Sequence, residues 1–361
     1  MTPFSKLWAI LFLPLTAVYS VVSVLKNWMY EDGILKPAKV SVPVISVGNL
    51  TVGGTGKTPV VAFLANELTD RGLKVGIVSR GYGRMSKGTV WVSKEGKILV
   101  NAIRGGDEPV ELAAVVKNST IVVGETRFEA ASELLDQVKV DVILVDDGMQ
   151  HRKIHRDINI AVQDVPSASG WKFQLPSGPF RESWKNITRA DAVIWTKWND
   201  PAPISDFNEW KKNEHQPHFW AKFVPRSFYH VREKRDMALT EMKGETAIAF
   251  CGIGQPDHFK TDLMRLGLNI VRFQTFPDHH AYSKQDLLTI LELYRTSIVK
   301  WIITTAKDYH RLAAAQTTND FMSQLPCIYL KGHIHLENGM DELMTLLTDK
   351  INSVKTSESV Q

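Results

Sequence analysis

Thr51-Val52-Gly53-Gly54-Thr55-Gly56-Lys57-Thr58 is the stretch of this chain best suited to chemistry. Closely spaced glycines let a backbone turn until successive N–H groups point at one anion, a lysine neutralises β- and γ-phosphate charge, and a following threonine hydroxyl can ligate Mg²⁺. Residues 51–58 are therefore read as a phosphate-binding loop for a nucleoside triphosphate, with Lys57 stabilising transferred charge and Thr58 on the metal. The pattern G-x-x-x-x-G-K-[ST] is met except at its first glycine, which is Thr51, and Val52 stands where a variant form has lysine. The setting outweighs that departure. An apolar run, Val42–Val47, leads into the loop, and an amphipathic segment with Pro59, Val60, Phe63, Leu64 and Leu68 follows it as far as Gly72. The phosphate would sit on the positive end of that helix.

A second candidate is the run from Asp141 through Asp146-Asp147-Gly148-Met149-Gln150-His151-Arg152. An apolar strand that ends in carboxylates is where a phosphate-loop enzyme places its Mg²⁺-associated acid, and ligands in such sheets collect at the carboxyl ends of strands. Ser79-Arg80-Gly81-Tyr82-Gly83-Arg84 follows another strand candidate, so its arginines reach the same edge and could grip a phosphorylated acceptor. Gly105-Gly106-Asp107-Glu108-Pro109 sets an acid just before an apolar helix, where capping is the ordinary reading. Thr196-Lys197-Trp198-Asn199 resembles a guanine-reading motif, but Asn199 fills the position that needs aspartate, so no guanine preference is read from it.

The elements that must position these groups alternate. β-rich runs at Val42–Val47, Lys74–Ser79, Thr120–Val123, Asp141–Val145, Asp157–Val162 and Asp191–Thr196 are separated by helical patterns, which predicts a parallel sheet covered by helices. Asp200-Pro201-Ala202-Pro203 interrupts the pattern. A second alternation follows, with strands at Thr246–Phe250, Asn269–Phe273, Trp301–Thr304 and Cys327–Leu330 and helices around His258–Leu266 and Lys284–Arg295. The expected organisation is an N-terminal hydrophobic helix (1–30), a phosphate-loop NTPase-like α/β core (31–200), a connection (201–244), a smaller α/β lobe (245–351) and a disordered tail (352–361).

Composition narrows the partners. A chain of 361 residues that is 44% hydrophobic can bury a large core, and a net charge of +4 suits an anionic membrane surface or substrate while being too weak to argue for nucleic acid. Cys251 and Cys327 lie far apart in apolar surroundings and read as buried thiols. Leu7 to Leu25 carries no charge and is bracketed by Lys6 and Lys26, with Trp28 and Tyr30 beyond. A cleaved signal, a membrane span and a helix buried on the protein itself compete for this segment. An interfacial helix with lysines and aromatics at its edges is preferred.

The ordered set Gly48–Pro59, Ser79–Arg84, Gly106–Pro109, Asp146–Arg152, Leu175–Glu182 (L-P-S-G-P-F-R-E) and Phe276–His280 (F-P-D-H-H) resembles the tetraacyldisaccharide 4'-kinase family of Gram-negative lipid A synthesis, from the hydrophobic N-terminus to Thr304-Thr305-Ala306-Lys307-Asp308. Departures are Met149 where an aromatic is usual, and Ser177 and Phe180 where Ala and Leu are usual. The resemblance implies an ATP- and Mg²⁺-dependent kinase that phosphorylates the 4'-hydroxyl of a lipid disaccharide 1-phosphate at the cytoplasmic face of the inner membrane, with no protein partner implied. It also implies that Asp107 is the catalytic base, helped by His279, for which His280 is the competitor. Asp146 and Asp147 would position metal and phosphate, Arg80, Arg127, Gln150, His151 and Arg181 would contact substrate, and Glu182 would join Thr58 and Asp146 on Mg²⁺. The rival reading is a nucleotide-dependent, membrane-associated ATPase switch, which needs no acceptor site.

Overall fold

The computed structural model describes residues 9–168, 170–197, 216–314, 322 and 324–359. Helix α1, Leu13–Glu31, has Pro14 in its first turn, where a missing N–H costs nothing. Strand β1, Val44–Gly48, is buried along its length and delivers the phosphate loop to helix α2, Lys57–Asp70. The other first-half strands are β2 (Val75–Ser79), β3 (Val90–Lys94), β4 (Lys97–Ile98), β5 (Thr120–Val123), β6 (Val142–Asp146), β7 (Ile158–Asp164) and β8 (Ala192–Thr196). Helix α3, Asp107–Val115, follows the β3–β4 hairpin, and α4, Arg127–Gln137, follows β5. β1 pairs in parallel with β6 and β7, β2 with β5 and β6, and β7 with β8, so each of these strands ends at one shared edge.

The stretch expected to be a plain connection contains a thirteen-residue strand, β9 (His218–His230), and its hairpin partner β10 (Arg235–Ala238). Residues 201–215 of that stretch, with Trp198 and Asn199, lie outside the described residues. The second half follows as β11 (Thr246–Cys251), helix α5 (Pro256–Arg265), β12 (Asn269–Thr275), helix α6 (Lys284–Thr296), β13 (Trp301–Thr305), helix α7 (Ala306–Ala314), β14 (Cys327–Leu336) and helix α8 (Met340–Ser359). β11, β12, β13 and β14 are mutually parallel, and β14 is antiparallel to β9.

That reversal places the site. β8 pairs only with residues 218–220 at the start of β9, and β14 pairs along the rest of it. β9 thus overhangs the first-half sheet, and the second-half strands run back against it. The carboxyl edges of the two halves consequently face each other across one cleft, although a single sheet joins them.

Two expectations change at the C-terminus. Residues 352–359, expected to be a disordered tail, continue helix α8, and Lys355 Nζ reaches Asp141 Oδ1 at 3.1 Å. Leu343, Met344, Leu347 and Ile351 recur at helical spacing and join the core cluster formed around β1 and α2, so the last helix returns to the first half.

Helix α1 is amphipathic with its polar side inward. Thr16 Oγ1 donates to Ser177 Oγ at 2.7 Å, the Tyr19 hydroxyl donates to Arg181 O at 2.7 Å, Ser20 bonds Gln174, and Asn27 Nδ2 reaches Glu182 Oε2 at 3.1 Å. Val18, Val21, Val22, Val24, Leu25 and Trp28 are exposed, with Val21 at 66%. Among the described residues no helix is long and apolar enough to cross a membrane.

Candidate active site

Gly56, at φ +84°, caps α2 in a left-handed conformation open to glycine, and no side chain caps the helix. The first amide groups of α2 therefore remain for an anion. Lys57 Nζ lies 3.1 Å from Asn49 Oδ1 and 3.4 Å from Asp147 Oδ1. Asn49 is fully buried and also donates to Thr51 O (2.7 Å) and Thr55 Oγ1 (3.1 Å), so it braces the loop from within. Val52 N donates to Pro179 O at 2.8 Å, Thr196 Oγ1 donates to Thr55 O at 2.7 Å, and Lys197 bonds the Gly54 carbonyl. Gly53, Gly54 and Thr58 complete the loop, with Thr58 half-buried.

Asp146 and Asp147 end β6 in contrasting surroundings. Asp146 is buried, and that burial, with Glu108 and Asp147 nearby, pushes its carboxyl up to about 6 despite Lys57 and a hydrogen bond from Ser79 Oγ at 3.1 Å. A buried carboxylate with too little positive charge around it, one residue from the loop lysine's partner, suits a divalent cation. Among the described residues no three His, Cys, Asp or Glu side chains could hold a metal by themselves. Mg²⁺ does not require such a cage, because it is held by one or two carboxylates together with substrate phosphates and waters. For Asp147 burial opposes ionisation, but Lys57 and Arg181 override it and hold the carboxyl below its usual range. Arg181 Nη1 lies 3.0 and 2.9 Å from the two Asp147 oxygens and 3.4 Å from Gln150 Oε1.

Glu182 was expected on Mg²⁺. Its buried carboxylate accepts from Gln150 Nε2 (3.1 Å), Asn27 Nδ2 (3.1 Å), Asn186 Nδ2 (2.7 Å) and Arg189. Three of these donors meet Oε2 and Gln150 alone meets Oε1, so Glu182 ties α1 to the Asp146–Arg152 turn while Oε1 keeps a lone pair that a cation can use. Arg84 likewise serves the fold, paired with Glu125 Oε1 at 2.9 Å.

Arg80 and Arg127 bring positive charge to the same edge, with His151 beside them. Arg127 is buried, its Nη2 lies 3.5 Å from Asp146 O, and its Nε lacks a hydrogen-bond partner among the described residues. Burial and the charges of Arg127, Lys153, Lys26 and Arg80 push the His151 imidazole down to about 4.

The rest of the site comes from both halves. Gly106, at φ +89°, lies so close to Gly81 that an added Cβ would stand 3.0 Å from its backbone, and this close packing sets Asp107 at the head of α3 beside Tyr82. His279 occupies the third position of a turn closed by His280 N to Pro277 O at 3.1 Å, with φ +58°. Its Nδ1 lies 3.1 Å from Asp107 Oδ2, and its ring meets Tyr82 edge-on at 5.3 Å. His280 instead bonds Asp286 Oδ2 at 3.0 Å, within the capping box of α6. Asn49, Glu108, Lys307 and Arg311 were missed from the sequence as site residues. The usable signal for the last two was their spacing of four residues just after an apolar strand.

This geometry can be compared with known proteins. The family model for tetraacyldisaccharide-1-P 4'-kinase matches residues 8–352. The chain belongs to this family. The tetraacyldisaccharide 4'-kinase of Chlorobaculum tepidum is 34% identical over 345 residues, covering 94% of this chain and 97% of that one, and that of Syntrophus aciditrophicus is 36% identical over 306 residues, covering 82% of each. The crystal structure of the Aquifex aeolicus kinase LpxK in complex with ATP superposes with a TM-score of 0.78 at 31% identity, covering 95% of this chain and 99% of that one. The chain is accordingly a kinase of the tetraacyldisaccharide 4'-kinase family. Of the family departures, Ser177 gains the bond from Thr16, Phe180 is fully buried, and Met149 packs where a Cβ on Gly48 would clash.

Proposed function

We propose that the chain transfers the γ-phosphate of ATP to the 4'-hydroxyl of a tetraacylated disaccharide 1-phosphate, the reaction for which its family is named, with the residues above in the following roles. The observation that carries this reading is the Asp107–His279 pair, which closes from two halves of the chain over the edge that holds the phosphate loop. A hydroxyl acceptor needs a group to take its proton as the bond to phosphorus forms. A nucleotide switch needs none.

In this reading the amides of residues 51–58 and Lys57 bind the nucleotide phosphates, and Asp147 with Arg181 and Gln150 holds the lysine in register. Thr58, Asp146 and Glu182 would hold Mg²⁺, which supplies neutralising charge at phosphate oxygens. Asp107 accepts the acceptor's proton, and His279 fixes the orientation of its carboxylate. Arg80 and Arg127 offer positive charge to the phosphorylated disaccharide, and the neutral His151 ring a hydrogen bond. The exposed apolar face of α1 rests in a membrane surface at the cytoplasmic face of the inner membrane. Burying half of each of its six side chains there would contribute on the order of 5 kcal/mol.

The test is product identity. With ATP and the lipid disaccharide 1-phosphate, ADP should appear in equal amount to sugar phosphate located at the 4'-position by mass spectrometry. ADP formed with inorganic phosphate, independent of the lipid, would establish the switch instead.

A further inference from the structure

Asp107 is held by more than His279. Lys307 and Arg311 lie one turn apart on α7 and share a face. Arg311 Nη2 donates to Asp107 Oδ2 at 2.7 Å, while its Nη1 is held by Asp308 Oδ1 at 2.9 Å and Gly252 O at 3.2 Å. Asp308 is fully buried and accepts in addition from Gly252 N (3.1 Å to each oxygen), the Tyr282 hydroxyl (2.9 Å) and Thr305 Oγ1 (2.7 Å). Arg311 is thus anchored before it reaches Asp107. Lys307 Nζ lies 3.1 Å from Glu108 Oε1 and 3.3 Å from His279 Nε2.

These contacts dictate where protons sit. An ammonium has donors only, so His279 Nε2 must present its lone pair to Lys307. The one proton of the neutral ring is then on Nδ1, facing Asp107 Oδ2. Asp107 Oδ2 is filled by His279 and Arg311, and Oδ1 already accepts from Glu108 N at 3.0 Å. One lone pair on Oδ1 remains for an acceptor hydroxyl.

We propose that Lys307 and Arg311 are positioning residues for the phosphoryl transfer, Lys307 by selecting the Nδ1–H tautomer of His279 and Arg311 by keeping Asp107 charged and turned so that Oδ1 faces the acceptor. This rests on the dyad reading above. The charged groups facing Asp107 are Glu108 and Glu111 from its own helix, Asp278 beside His279, and Lys307, Asp308 and Arg311 from α7. Burial disfavours charge on Asp107, but the His279 bond, the Lys307 charge and the Arg311 bond override it and hold the carboxyl well below the usual range.

The experiment uses the full chain with ¹⁵N-labelled histidine, the His279 signal being assigned from His279→Ala. Lys307→Met should let His279 Nε2 take up a proton while Nδ1–H stays on Asp107, giving the doubly protonated ring, and Lys307→Arg should keep the singly protonated Nδ1–H form. Arg311→Met should lower kcat about 10- to 100-fold and move the acid limb of kcat upward by about one pH unit or more. Arg311→Lys should restore part of both, and it carries the measurement if the methionine variant does not fold. ATP-analogue affinity should stay within about twofold, since neither side chain touches the loop. An unchanged His279 protonation state in Lys307→Met together with an unmoved acid limb in both Arg311 variants overturns the inference. Asp107→Asn separates the two levels: full activity there sinks the dyad itself, whereas a dead Asp107→Asn beside wild-type-like Lys307 and Arg311 variants sinks only this inference.

Discussion

Asp107 and His279 are 172 residues apart in the chain and meet with 3.1 Å between Oδ2 and Nδ1. Neither half of the sheet could make this pair alone. It exists because β14 is antiparallel to β9, which turns the strand ends of the second half toward those of the first. His279 reaches across from a left-handed turn position that costs a non-glycine residue about 1 kcal/mol or more, and such backbone is kept where the surrounding structure dictates it.

Asp107→Asn and His279→Ala should each lower kcat with little change in ATP affinity. If the two act as one unit, the double variant should lose much less than the product of the single losses. Steady-state kinetics of the four proteins, with thermal melting as control, measures this. Fully multiplicative losses would mean that each acts alone.

Lys57→Ala should lower kcat by about 10² to 10⁴, as removal of a preorganised electrostatic group does. Its ammonium is shared between Asn49 and Asp147 at the loop, so its loss removes no core contact. Melting should therefore be nearly unchanged. Turnover close to wild type at saturating ATP would place the transferred phosphate elsewhere.

Much of this was readable in the chain for a physical reason. Strands such as Thr120–Val123 are short apolar runs ended by polar turns, so both their existence and their ends could be located. The phosphate loop and the Asp146-Asp147 pair share an edge because β1 and β6 are parallel neighbours, which the alternation of elements implies. Strand β9 was hidden because Trp220 and Pro225 break its alternation and its longest partner, β14, lies about a hundred residues downstream. The facing of the two carboxyl edges depends on that strand, so the convergence of Lys307 and Arg311 on the dyad was hidden with it. Glu182 carries a tie that the sequence hides, because its donors Asn27 and Gln150 come from segments 155 and 32 residues away.

His151 gives a test by pH. Its imidazole is lowered from an ordinary 6.5 to about 4, so the unfolded chain binds the proton more readily than the folded one between those values. Folding stability from this group is fully present above pH 6.5 and is lost as pH falls toward 4. His151→Gln should remove that loss, which for a half-buried group amounts to about 1–2 kcal/mol, and chemical denaturation of both proteins at acid pH measures it. An acceptor phosphate placed beside Arg80 and Arg127 should also raise the His151 pKa on binding, as followed by NMR. A value that does not move with bound disaccharide 1-phosphate would put the phosphate elsewhere.

Helix α1 offers the last test because its two sides make opposite demands. Val18, Val21, Val22 and Leu25 face outward, whereas Thr16 and Asn27 are bonded to the loop that braces Val52 and Arg181. Replacing Val18, Val22 and Leu25 together by Gln touches no internal contact. It should leave melting and ATP affinity unchanged, reduce partition onto anionic vesicles, and raise KM for acceptor presented in a bilayer. Asn27→Ala should act the other way. It removes one donor to buried Glu182, lowers stability by about 1 kcal/mol, and loosens the Arg181–Asp147 contact that steadies Lys57, while vesicle partition stays as it was. If the outward substitutions change neither partition nor lipid KM, α1 is a packing element only. Substrate would then have to reach the cleft without help from that apolar face.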